Sequence, residues 1–253
     1  MLGPRAVGKG LALALLVASA PAAAQELVTD RPDFTESALA VPRSRFQLEG
    51  GATASKGGSD EAWSFGELLL RIGLSERVEL RLEPGSYAEA DGPGGELSGW
   101  EDAAAGLKVE LSAGGEGGRP DIALIAGLSL PTGEQGVGSD EPHPEVVLAV
   151  AWDLTPRLGL GANLGLGETD DGERDFLEGR ASVAMGFDLG GHWGGFLEAF
   201  ALYPESGSGE EAHFVDAGLT WLATEDLQLD LRAGQGLDAD EETFVGAGFA
   251  VRW

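Results

Sequence analysis

The chain has 253 residues, 16 Lys and Arg against 43 Asp and Glu, a formal net charge of −27 and no cysteine. That balance repels nucleic acid and anionic lipid, and the lack of cysteine excludes a disulfide scaffold or a thiolate metal site. With 41 glycines and only two methionines, a mostly helical protein is disfavoured, because glycine weakens helix interiors.

Residues 1–24 read as a cleaved secretory signal. Arg5 and Lys9 form a positive start, Leu11 to Ala20 an apolar core, and Ala-Pro-Ala-Ala-Ala-Gln an Ala-x-Ala site ending at Ala24. The apolar run is nearer to ~12 residues than to the ~20 that a membrane-spanning helix needs. Cleavage would start the mature chain at Gln25 and, by removing Arg5 and Lys9, take its charge to −29. No later stretch reaches ~20 apolar residues, so no helical span is expected.

Residues 25–43 cannot be an ordinary membrane strand. Asp30, Arg31, Asp33 and Glu36 flank Phe34 and break any apolar face, and Pro32 removes a backbone donor. This segment belongs in water or in a polar lumen.

From residue 44 onward the sequence alternates with period two. In "RVELRLEP" from Arg77, Val78, Leu80 and Leu82 oppose Glu79, Arg81 and Glu83; "LQLDLRA" from Leu227 sets three leucines against Gln228, Asp230 and Arg232. Strands are expected at 44–56, 62–74, 77–88, 100–113, 121–131, 145–154, 158–168, 175–189, 193–203, 213–223, 227–234 and 243–253. Their connections alternate between tight turns, such as "SER" at 75 and "TPR" at 155, and longer acidic loops, such as "AEADGPGGELSG" and "ETDDGER". One turn, "GGEGGRP" from Gly114, is longer than the rest. A soluble sandwich has no reason to segregate loop length by parity, whereas an outer-membrane barrel has short periplasmic turns and longer extracellular loops. The expected fold is therefore all-β: an antiparallel transmembrane β-barrel of about twelve strands over residues 44–253.

Register then assigns the faces. Glu49, Glu67, Arg71, Glu79, Arg81, Lys108, Glu110, Asn163, Glu178, Arg180, Glu198, Asp216, Asp230 and Arg232 point inward, with acid exceeding base, which favours cations. Twelve strands leave a lumen that is narrow or plugged. The 25–43 segment is expected to fold under or into the periplasmic mouth, with Arg31 pairing to Glu79, Glu110 or Asp230; a solvated tail is the alternative. In "LGLGANLGLG" from Leu158, glycines occupy the inward positions around Asn163, and Gly246 and Gly248 do so in the last strand. Such bare backbone marks either close approach of another segment or wall curvature.

The last strand carries Phe249, Val251 and Trp253 on its lipid face, an aromatic-terminated pattern that resembles the assembly signal of bacterial outer-membrane proteins. Trp63, Tyr87, Trp100, Trp152, Trp193, Tyr203 and Trp221 also fall near strand ends, where interfacial girdles form.

The N-terminal stretch Thr29-Asp30-Arg31-Pro32-Asp33-Phe34-Thr35-Glu36-Ser37, then Val41-Pro42 and Phe46-Gln47-Leu48-Glu49-Gly50-Gly51, resembles the "MetA-pathway of phenol degradation" family. "LSLPTG" from Leu128 has a similar look. The resemblance implies an outer-membrane barrel associated with aromatic-compound catabolism, a transport role, and no catalytic residues to carry over.

No enzyme is expected. His143 and His213 lie by outer loops and His192 in an inner turn, away from any serine that they could activate. No two histidines have metal-ligand spacing, and neither "ETDDGER" nor "LDADEETF" from Leu237 matches an EF-hand, so no metal or cofactor is expected. The expected partners are outer-membrane lipid, the barrel-assembly machinery and a small-molecule solute, with no nucleic acid. The reading is a passive channel for small solutes, hydrophobic or aromatic compounds included. The alternatives are a non-conducting barrel whose acidic loops meet partners, and a soluble secreted β protein.

Overall fold

Alternation along the chain becomes strands that are two-faced in space. The computed structural model describes residues 27–58, 60–93, 95–114, 118–172, 174–205, 209–238 and 242–253. The proposed signal and part of the "GGEGGRP" turn lie outside them. Among the described residues there are fourteen strands and no helix: β1 (Phe46–Gly57), β2 (Asp60–Gly73), β3 (Val78–Glu83), β4 (Tyr87–Gly92), β5 (Gly95–Trp100), β6 (Ala103–Ser112), β7 (Asp121–Leu130), β8 (Pro144–Thr155), β9 (Leu158–Asp170), β10 (Asp175–Gly190), β11 (Trp193–Pro204), β12 (Ala212–Thr224), β13 (Leu227–Gly236) and β14 (Thr243–Arg252).

These strands form twelve staves. β2 pairs with β3 through Leu70 to Gly73 and with β4 through Glu61 to Phe65, so β3 and β4 are two halves of one stave. β5 and β6 are likewise halves of the next, paired with β4 and β3 respectively. The interruption has local causes: Pro84 lacks a donor, and Gly85 has φ +87 at a point where a Cβ would contact the Glu101 carbonyl. β1 pairs with β14 from Gln47↔Arg252 to Lys56↔Thr243, which closes the sheet and removes the free edge.

One expectation is corrected. "AEADGPGGELSG" is not a loop; it continues the wall as the β4–β5 hairpin. Alternation survives there despite the glycines, and Tyr87 meets its cross-strand partner Trp100 edge-on at 5.6 Å, the kind of aromatic pair that stabilises a sheet. The "PTGEQGVGSDEPHP" segment does remain a loop, stapled to the wall by Asp102, whose carboxylate accepts the amides of Thr132 (2.9 Å), Gly133 (2.6 Å) and Ser139 (2.8 Å).

The outer face is apolar. Leu164 is 65% exposed, and Leu231, Leu197 and Val245 share its parity, whereas Glu49, Arg71, Glu79 and Lys108 are fully buried on the inner face. Rings gather at the rims: Phe46 stacks on Trp253 at 6.1 Å and Trp193 on Trp221 at 6.2 Å at the short-turn end, with Trp63 on Phe65 at the long-loop end. This is a lipid-facing belt with interfacial girdles. Phe249 and Val251 lie on the same outward face.

Candidate functional site

The inner wall is lined with charges that must be hydrated or paired, and much of what pairs them is the chain's own N-terminal segment. Its path follows from its partners. Gln47 Nε2 and Arg71 Nη1 donate to the Val28 carbonyl (2.8 and 3.2 Å), and Glu49 accepts the Asp30 amide at 3.0 Å. Arg232 donates to the Pro32 carbonyl at 3.1 Å. Glu198 accepts the amides of Phe34 (2.7 Å) and Thr35 (2.8 Å) and the Thr35 hydroxyl. Asn163 accepts the Glu36 amide at 2.6 Å and donates to its carbonyl at 3.1 Å. On the return, Arg71 Nη2 donates to the Leu39 carbonyl, Glu110 accepts the Ala40 amide (2.6 Å), and Glu79 accepts the Val41 amide (2.7 Å).

The segment thus enters at the short-turn end, rises to a crest at Pro32–Glu36, and returns to the same rim before β1. It forms no regular secondary structure, so its backbone groups need outside partners, and wall side chains supply them. Glycine makes the crossing possible: at Gly73 a Cβ would contact the carbonyl oxygens of Val41 and Pro42.

Asp30 is the electrostatic centre. Its carboxylate meets Lys108 Nζ at 2.8 Å, Arg71 at 3.3 Å and Arg81, and accepts the Ser37 amide at 2.9 Å. Burial alone would raise its pKa, but the cations of Arg71, Lys108 and Arg81 outweigh it and hold the carboxyl well below the usual range. Arg71 is further clamped by Glu49 (2.9 Å) and Glu79 (2.8 Å).

Arg31 pairs with Glu67 at 2.7 Å and Asp230 at 3.4 Å. Of the three partners expected for it, Glu79 and Glu110 are corrected: they bind the returning backbone, and Glu79 is also taken by Arg71. Arg31 instead lies where Gly51 and Gly248 leave room, since a Cβ on Gly248 would come within 2.5 Å of its guanidinium. Of the other inward glycines, Gly161 faces Thr35, whereas Gly159 has only the Trp152 carbonyl, at 3.8 Å.

The crest carries the opposite charge balance. Burial pushes the Asp33 carboxyl well up, reinforced by the Glu198 and Asp216 carboxylates. Burial likewise raises Glu36 to about 8 against the pull of Arg81, whose charge at 2.9 Å is shared with Asp30. Asp216, the cross-strand partner of Glu198, is 6% exposed and has no hydrogen-bond donor on either oxygen among the described residues.

Beside this acid pole stands an aromatic shelf. Phe34 stacks on Phe200 at 4.5 Å, Phe200 on Phe214 at 4.7 Å, and Phe244 closes the group with the Arg232 guanidinium 5.3 Å from its ring. Sequence reasoning missed this shelf as a unit. The signal was present, because Phe200 and Phe214 share the inward parity of Glu198 and Asp216. On the long-loop side of the crest, Arg180 bridges Glu178 and Glu145, both at 3.1 Å, and the segment and wall enclose a cavity of about 440 Å³ reaching Glu67, Arg81 and Arg180.

A closed barrel with an apolar belt, short turns at one rim, long loops at the other and a lumen occupied by its own N-terminal segment defines an outer-membrane-type β-barrel. The chain belongs to the "MetA-pathway of phenol degradation" family, whose model matches residues 29–253. No curated protein matches it in sequence. Its fold is similar to that of an outer-membrane channel from Pseudomonas putida F1 (TM-score 0.66, 15% identity, covering 89% of this chain and 100% of that one). It is also similar to the NanC porin (0.58, 10%, 81% and 98%) and to the KdgM porin in complex with disordered oligogalacturonate (0.56, 9%, 81% and 98%).

Proposed function

We propose that this protein is an outer-membrane channel for passive passage of small solutes, hydrophobic or aromatic compounds included, and that the N-terminal segment controls its aperture. The observation that carries this reading is the seating of residues 28–41 chiefly by hydrogen bonds and ion pairs to wall side chains, beneath a cavity of about 440 Å³ in a closed barrel. Its apolar contacts are few, with Phe34 on Phe200 and Ala38 against Ala123, Ile125 and Ala149, so most of what holds it is polar and can be exchanged for water. The inward Phe200, Phe214 and Phe244 support a solute with an apolar or aromatic body, and family membership supports the same class. The closing strand β14, with Phe249 and Val251 on its outer face and Trp253 beside it, fits delivery by the barrel-assembly machinery.

Single-channel recording of the refolded protein beside a variant lacking residues 25–43 tests this. Conductance should rise on deletion, and uptake of neutral aromatics into proteoliposomes should rise with it. Two folded but silent barrels would refute an aqueous path and favour a structural or surface-binding role for the acidic loops.

A further inference from the structure

Asp170 and Asp175 face each other across the β9–β10 hairpin at the long-loop rim. Like charges directly opposite destabilise a sheet unless something positive lies between them. The neighbouring stave supplies an imidazole: His143, immediately before β8, sets Nε2 3.3 Å from Asp175 Oδ1 and Nδ1 3.8 Å from Asp170 Oδ2. The second distance is too long for a hydrogen bond.

The three residues are placed by backbone, not by chance rotamers. The Ser129 amide holds the His143 carbonyl at 2.9 Å, Asp170 and Asp175 are ladder partners at strand ends, and the Gly172 amide takes Asp170 Oδ1 at 2.9 Å, leaving Oδ2 for the imidazole side. The His143 side chain is only 10% exposed. One ring nitrogen and one oxygen from each aspartate lie within 4.8 Å of one another, a spread that bonds of ~2.0–2.2 Å to a common ion would close by small side-chain rotations.

We propose that His143, Asp170 and Asp175 form a binding site for a divalent transition-metal ion of the Zn²⁺ class, with water completing the coordination sphere. Donor chemistry selects the ion. Imidazole favours Zn²⁺, Cu²⁺ or Ni²⁺, whereas Ca²⁺ takes about six to eight oxygens and gains little from a nitrogen. The bound ion ties the ends of β8, β9 and β10 together, and its binding does not depend on whether the lumen conducts. His213 and Asp238, 3.4 Å apart, have no second carboxylate in ligand position among the described residues and provide an internal control.

The test is calorimetric titration of tag-free, chelator-treated, refolded protein with ZnCl₂ at neutral pH, with and without millimolar CaCl₂. Wild type should show one saturable site, insensitive to calcium. His143→Ala and Asp170→Asn should each weaken it by at least about tenfold, while His213→Ala leaves it unchanged; heat-modifiable gel mobility confirms that each variant is folded. No saturable zinc heat in folded wild type, unchanged binding in both His143→Ala and Asp170→Asn, or displacement by calcium would each overturn the site. The last outcome would identify nonspecific cation condensation on acidic loops.

Discussion

Replacing Asp30 by asparagine should unseat the lumenal segment while leaving the barrel intact. Removing one partner from a buried ion pair costs about 3–5 kcal/mol. Here the lower end applies, because Arg71 keeps Glu49 and Glu79, and Arg81 keeps Glu79 at 3.3 Å together with its hydrogen bond to Glu36. Lys108 fares worst, retaining only Ser37 Oγ at 3.2 Å and Glu36 at 3.8 Å among its near partners. A loss of about 3 kcal/mol shifts the seating equilibrium about a hundredfold. Chymotryptic cleavage after Phe34 in the folded protein reads that shift, since cleavage follows the open population when closing is fast. Asp30→Asn should therefore be cut about a hundredfold faster with an unchanged barrel unfolding transition. Asp33→Asn is the matched control: burial, with Glu198 and Asp216 nearby, raises the Asp33 carboxyl well above its ordinary range, so its charge is disfavoured in the seated segment, no cation cage is lost, and the rate should change less than about threefold. Equal effects of the two substitutions, or none from Asp30→Asn, would refute electrostatic seating.

Seating should depend on pH with two signs. Glu36, raised to about 8 when seated, binds a proton that the free segment has lost, so seating weakens as pH rises from about 5 to 8; Asp33 is raised in the same sense, so Glu36→Gln should make that limb of the cleavage profile shallower and Glu36→Gln with Asp33→Asn should flatten it. Asp30, held low when seated, works oppositely: its stabilisation is present above the ordinary carboxylate range and is lost as pH falls through its lowered value. Gly248→Ala should displace Arg31, which lies 2.5 Å from the new Cβ, and speed cleavage about tenfold or more, whereas Gly159→Ala, with its nearest neighbour at 3.8 Å, should not. Leu164→Arg, on the lipid face near the middle of β9, should cost about 2–4 kcal/mol of barrel stability in vesicles; a neutral result would argue that this face does not meet lipid.

Much of the fold was legible because a barrel wall is a local code. Side-chain direction alternates with every residue, so Leu80 against Glu79, or Leu229 against Asp230, reveals lipid and lumen without knowledge of any neighbour. The loop-length parity gave orientation for the same reason. The β4–β5 hairpin was hidden because Gly92, Pro93 and Gly95 signal a loop, and only the pairing of Tyr87 with Trp100 shows that the wall continues. The segment's charges and Pro32 told that it could not be a strand, yet nothing local could tell which carboxylate Arg31 would meet. That choice is made by Gly51 and Gly248, on strands brought together only by closure.

The sequence by itself determined the all-β class, the two faces of nearly every strand and the polar nature of the N-terminal segment, because each depends on period-two spacing or on residue chemistry. Tertiary structure alone decided the Asp30 cage, the Phe200–Phe214–Phe244 shelf and the meeting of His143 with Asp170 and Asp175. Each draws its members from separate staves, and which staves stand side by side, at what register and across what lumen, is fixed only when the sheet closes on itself.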